Sequence, residues 1–171
     1  LQGAQFVGAI LPGADLQGAM LDSADFSGAT IDGGNLTNAT GLGTLVTTGA
    51  DFTLAQFGGP GLIGASLEQA TLDGALFQPG ADMSGIRFND SSLVGVDLSN
   101  RSLSGAKFLN TNLTNSTLAG SSLTNNPDAG IPAADFTGAH LKDVNLSNAK
   151  LQGAIFHYAS LYGSFNLLNN G

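Results

Sequence analysis

Along most of the chain a large apolar residue returns at every fifth position between small and polar ones. Leu16, Leu21, Phe26, Ile31 and Leu36 form one such run, and Leu93, Leu98, Leu103, Phe108 and Leu113 another. These centres occupy 29 positions across 1–36, 52–77, 83–123 and 136–161; 18 are Leu and 9 Phe, with Ile31 and Met83 the exceptions. Ala stands two residues before most of them, as at Ala14, Ala24 and Ala134, so a small slot alternates with a large one. A period of five fits neither the 3.6 of a helix nor the alternation of a long strand, so neither element can hold every centre on one buried side. A chain that turns once per quintet can. The residues just after the centres, among them Gly18, Gly28, Asn38, Gly95, Asn100 and Gly120, are types that tolerate turns. The pattern predicts a coil of short sides.

Phenylalanine indicates how many sides make one coil. Phe6 and Phe26, Phe57 and Phe77, Phe88 and Phe108, and Phe136 and Phe156 are each twenty residues apart. Four quintets per coil would stack each pair in a core ladder, where favourable ring geometry adds about 0.5–1.5 kcal/mol beyond area burial.

The motif Ala-(Asp/Asn)-(Leu/Phe)-x-Gly, seen at Ala14 to Gly18 and, with variation, at Ala50 to Leu54 and Ala81 to Gly85, resembles the pentapeptide-repeat family. The resemblance covers nearly the whole chain. It implies an all-β, right-handed parallel β-helix, a four-sided solenoid with the centre and the residue two before it pointing inward. Residues 1–171 then form a single domain of about eight coils, about 40 Å long at the usual strand spacing. The family hosts unrelated roles, so the fold alone does not name a function.

Three places break the register: 39–49, a glycine-rich bulge; Gly80, one extra residue after Pro79, where a kink is expected; and 126–133, a loop with two prolines. Arg101 stands where a small inward residue belongs. An unpaired buried guanidinium is costly, so the expectation is that it reaches outward or that its quintet is distorted.

Composition removes most chemistry. With no Cys there is no disulfide, thiolate metal site or cysteine nucleophile. His140 and His157 fall outward on different faces, so no shared metal or catalytic base is expected. Six acids (Asp15, Asp25, Asp51, Asp82, Asp97 and Asp135) directly precede a centre, and no two acids share the twenty-residue spacing that would pair them for acid–base work. Seven Asn-x-Ser/Thr matches, from Asn35 to Asn145, read as coincidences of composition. The chain is expected to be no enzyme and to need no cofactor or metal. No apolar run is long enough to span a membrane, and Leu1 in place of an initiator methionine points to residues upstream.

The formal charge of -8 speaks against direct nucleic-acid binding. It is unevenly placed, because all five basic residues lie from Arg87 onward. Counting quintets through the bulge puts Asp32, Asp51 and Asp73 on one face as an acidic strip and a possible interaction surface. The tail, Ser164 to Gly171, is too short and Asn-rich for a capping helix, so the coil ends read as uncapped. The first expectation is a structural or interaction scaffold that stacks head to tail on itself as a dimer or filament, with an extracellular or cell-surface setting favoured by the low charge. The alternative implied by the resemblance is a DNA mimic that binds a type II topoisomerase, as do the family members that protect DNA gyrase from quinolones. A scaffold domain of a larger protein is the remaining possibility.

Overall fold

A computed structural model describes residues 1–163; the expected absence of a capping helix over 164–171 lies outside the described residues. The chain winds as a right-handed, four-sided parallel β-helix. Counting each coil from two residues before its first-face centre, those centres are Leu1, Leu21, Leu42, Leu62, Met83, Leu103, Leu123 and Leu151, and the coils are numbered first to eighth. Each side ends in a tight turn: the centre's carbonyl accepts from the N–H three residues on, as Phe26 does from Ala29 at 2.8 Å. The third residue of the turn is left-handed, with φ of 65° at Gly18 and 59° at Asn38. Leu54 and Gln69 hold φ of 57° and 55° there, a conformation that costs an ordinary residue about 1–2 kcal/mol.

Coils pair through parallel rungs formed by the residue before each centre. On the third face the ladder is continuous, running Ile10, Thr30, Asp51, Thr71, Ser92, Asn112, His140 and Ser160. On the fourth face three rungs lengthen into short strands, β1 (Asn35–Thr37), β2 (Gln56–Gly58) and β3 (Leu76–Phe77), in the order β1-β2-β3.

Centres and the slots before them form one core in which Phe26, Phe52, Phe57, Phe88, Phe108 and Phe136 have no exposure. All four predicted ring pairs stack, with centroids at 4.6 Å (Phe6–Phe26), 5.2 Å (Phe57–Phe77), 5.5 Å (Phe88–Phe108) and 4.9 Å (Phe136–Phe156). The structure joins them into one chain. Phe52 links Phe26 at 6.2 Å to Phe57 at 5.7 Å, and Phe77 meets Phe88 edge-on at 5.9 Å. The rings leave the second face where Thr47 and Leu67 are its centres, cross to the third and fourth faces, and return at Phe88.

The interruptions are absorbed differently. Within 39–49, Leu42 and Thr47 serve as further centres; both are buried, and a 3-10 turn spans Leu42–Thr44. Leu45 fills the slot before Thr47, so large and small exchange places at roughly constant volume. The threonine hydroxyl donates to Glu68 O at 2.7 Å. The second 3-10 turn, Pro60–Leu62, lies against this bulge, and Gly61 comes so close to the Ala39 carbonyl that a Cβ would collide with it. Residues 126–132 leave the rod as a largely exposed loop pinned by an antiparallel bridge from Asn126 to Ile131, and Ala133 at its end is already buried. Phe108 and Phe136, on either side of the loop, still stack at 4.6 Å and 2°.

Candidate interaction site

Asp32, Asp51 and Asp73 occupy the third face of successive coils, but the structure does not bring them together in one column. Asp51 sits in the rung before Phe52, whereas Asp32 and Asp73 follow their centres with Thr53 between them. Asp51 is committed to a local clip, its Oδ1 accepting from the Thr53 N–H at 3.0 Å and hydroxyl at 2.6 Å. The same clip recurs at Asp25–Ser27, Asp82–Ser84 and Asp135–Thr137, and in amide form at Asn35–Thr37, Asn112–Thr114 and Asn145–Ser147. It gives a physical reason for the acids before the centres, and three of the Asn-x-Ser/Thr matches are its amide version. The Ser27 hydroxyl, with its N–H, holds Asp25 below the ordinary carboxylate range. Burial pushes Asp135 up, but the Thr137 donors and Lys107 outweigh it and the net shift is downward.

His140 and His157 are exposed on the third and second faces. Among the described residues no group of three or more His, Cys, Asp or Glu side chains could hold a metal, and no helix is long and apolar enough to cross a membrane.

The fourth coil is the irregular part of the rod. Its neighbours, the second and third coils and the fifth to seventh, are joined by rungs on all four faces. The fourth coil meets the third through rungs on the third and fourth faces, and the fifth through rungs on the second and third, Ser66–Arg87 and Thr71–Ser92. Both irregular junctions follow a one-residue insertion, at the bulge and at Gly80.

Two arginines fasten these junctions. Arg87, on the fifth coil, donates through Nη2 to Gly43 O of the third coil at 2.9 Å and through Nη1 to Gly64 O of the fourth at 3.4 Å. Glu68 faces its Nε at 3.6 Å. Arg101, on the sixth coil, neither reaches solvent nor distorts its own quintet: it is 6% exposed and Leu103 beside it is fully buried. The distortion lies in the coils above, where Nη2 donates to Phe77 O at 2.8 Å and Nη1 to Ser99 O at 2.9 Å. At most other corners the residue two after a centre donates its N–H to the coil below, as Gly74 does to Val94 O at 2.9 Å. Pro79 has no N–H to give Ser99, and the guanidinium supplies it. Burial lowers the Arg101 pKa, with Asp97 opposing the shift; the Ser99 N–H and hydroxyl hold Asp97 below the carboxylate range.

Beside Arg101 the fourth-face ladder is open. No rung joins Leu76 to Asp97 among the described residues, and a cleft of about 320 Å³ lies there, lined by Gln56, Leu76, Phe77, Gln78, Pro79, Asp97 and Arg101. Neither the cleft nor the two fastenings was anticipated from the sequence, although Pro79, Gly80 and Arg101 were each anomalous in it.

Exposed apolar side chains gather at both ends of the described rod and around its third and fourth coils, where Leu54, Ile63 and Leu76 are more than half exposed. Val7, Ile10 and Met20 are 61%, 80% and 57% exposed at the head of columns that continue through polar residues such as Ser27, Thr30 and Thr40. On the eighth coil Tyr158 and Tyr162 are exposed, and Ile155 and Leu161 are at 37% and 39%. The N–H groups of Gln5, Ile10 and Asp15 have no hydrogen-bond partner among the described residues.

A family model described as pentapeptide repeats matches the sequence in 8 copies, over residues 1–38, 91–125 and 133–165. The longest unmatched stretch, 39–90, contains both one-residue insertions and the fourth coil, and the loop at 126–132 is unmatched as well. No curated protein matches the sequence. Among solved structures the chain is similar to trypsin-treated QnrB1, a plasmid-mediated fluoroquinolone resistance protein, at 14% identity over 93% of this chain and 83% of that one, with a TM-score of 0.55. It is also similar to HetL, a pentapeptide repeat protein involved in heterocyst differentiation regulation in the cyanobacterium Nostoc, at 24% identity over 97% and 86%, with a TM-score of 0.40. At 14% identity the likeness to QnrB1 speaks to the fold alone.

Proposed function

The chain belongs to the pentapeptide-repeat family, and from that premise we propose that it is a non-enzymatic interaction scaffold whose coils stack end to end on further copies of itself. The observation that carries this is the apolar rim. Val7, Ile10 and Met20 head outward columns whose next residues, Ser27, Thr30 and Thr40, are polar, so the apolar character there belongs to that end of the described solenoid. Stacking would bury the rim, a head-to-tail contact that generates dimers or open filaments. Sedimentation velocity across a concentration series tests it. Oligomers that dissolve in the Val7→Lys/Ile10→Lys variant are expected; a wild-type monomer at every concentration and salt would sink the idea.

The placement of charge favours a second reading, a DNA mimic that engages a type II topoisomerase. No basic residue precedes Arg87, so the first four coils are wholly acidic. The third face offers Asp32, Asp51 and Asp73, but they are staggered, and duplex DNA carries a charge about every 1.7 Å. A gyrase supercoiling assay decides: inhibition or protection from a quinolone at micromolar protein supports mimicry, and no effect removes it.

A further inference from the structure

We propose that the cleft on the fourth face, between the fourth and fifth coils, binds an extended peptide segment of a partner protein through its main chain. The argument rests on which groups are idle there. Along this face the rung residues pair in sequence, Asp15 with Asn35, Asn35 with Gln56, Gln56 with Leu76, and below the cleft Asp97 with Thr117. At the missing rung the Ala75 carbonyl, the Phe77 N–H and both backbone groups of Asp97 make no hydrogen bond among the described residues. In an intact parallel ladder one residue would donate to Ala75 O and accept from Phe77 N–H; Asp97 occupies that place in the repeat and is out of reach.

A guest residue in extended conformation offers the same two groups at the same spacing. Its neighbours present their own carbonyl and N–H to Asp97 on the other lip, so all four idle groups are satisfied at once, which is how a sheet edge captures a strand. Arg101 does not compete, since its guanidinium is held by Phe77 O and Ser99 O. Its Nε, the one buried side-chain polar atom without a partner among the described residues, belongs to a side chain that lines the cleft. Leu76, 59% exposed and lining the cleft, offers apolar contact to a side chain of the guest. Recognition rests on main-chain groups, so the guest is defined by its extended conformation more than by its sequence.

The test is an amide NMR titration with acetyl-Val-Thr-Val-Thr-amide and with the same peptide N-methylated at its two central residues. Saturable shifts of the Phe77 and Asp97 amides are expected with the first, with affinity about tenfold or more weaker for the second, the equivalent of one to two lost hydrogen bonds. Deletion of Pro79 restores five-residue spacing between Phe77 and Met83 and puts Gly80 at the left-handed position. The ladder then closes and the shifts vanish. If that variant does not fold, Asp97→Pro removes one donor of the lip without breaking an existing rung, and the affinity is expected to fall about fivefold. The proposal is overturned by no saturable shift at millimolar peptide, by equal affinity for the N-methylated peptide, or by undiminished binding to the folded deletion variant.

Discussion

The fourth coil and the stretch from the fifth to the seventh are built from the same five-residue unit, yet they are held together by different means. From the fifth to the seventh, rungs on four faces carry the stack and side-chain charges are incidental. Around the fourth coil two rungs are missing at each junction, and two guanidinium groups from later coils bind the carbonyls exposed by the insertions. A repeat therefore tolerates an extra residue if a long donor from another coil can reach the groups that residue displaces. Arginine suits this because its fork serves two carbonyls from one stem.

The largest expected effect probes the regular side. Phe108→Ala removes a fully buried ring stacked on both neighbours and should cost about 3–5 kcal/mol in urea denaturation. Phe77→Ala should cost less, since that ring borders a cleft that already exists. Equal losses would show that the cleft is closed in solution.

Proline gives the next contrast, within one coil. Ser92 and Asp97 hold equivalent rung positions, but only the Ser92 N–H is bonded, to Ala70 O at 3.0 Å. Ser92→Pro is expected to lose about 2–4 kcal/mol, one rung plus the orphaned carbonyl, whereas Asp97→Pro loses mainly its Ser99 clip, about 1 kcal/mol. A third comparison sets fastening arginines against an ordinary surface pair. Arg101→Met strands two carbonyls and should cost about 2 kcal/mol, recovered when Pro79 is also deleted; Lys107→Met loses only its 3.4 Å contact with Asp135, about 0.5 kcal/mol. Leu54→Gly, at the corner between the third and fourth faces, relieves a left-handed leucine and should add up to about 1 kcal/mol.

The smallest effect is in pH. Asp25, Asp97 and Asp135 titrate below their ordinary value in the folded protein. Their contribution is fully present above the unfolded carboxylate range, near pH 4, and is lost as pH falls through the lower folded values. The melting temperature should therefore drop in acid, and Thr137→Val should shallow that drop by returning Asp135 toward its ordinary value. An unchanged acid limb in this variant would show that the clip does not hold the carboxylate.

The period of five and the twenty-residue spacing of Phe were enough to read the sides, the coil and the stacked pairs, because each is a property of one column. What escaped reading links columns. Phe52 and Phe57 are five apart in sequence, so their contact runs across the core, and no column count finds it. Thr47 does not read as a centre because it is small and polar, and the volume of its side is carried by Leu45. Quintet counting put Asp32, Asp51 and Asp73 on one face but could not say which side of the centre each occupies. For Arg101 the sequence shows the cost of burying a guanidinium but not the acceptors that offset it, which arise from Pro79 and the insertion beside it, with Phe77 O 24 residues away.

The exposed tyrosines of the eighth coil have an optical consequence. The chain contains no tryptophan, and its two tyrosines, Tyr158 and Tyr162, both lie on that coil. Ultraviolet emission excited above the phenylalanine band therefore reports the eighth coil alone, and circular dichroism reports the whole ladder. Melting curves from the two probes should separate if that coil unwinds before the others, and their separation measures how far it runs ahead.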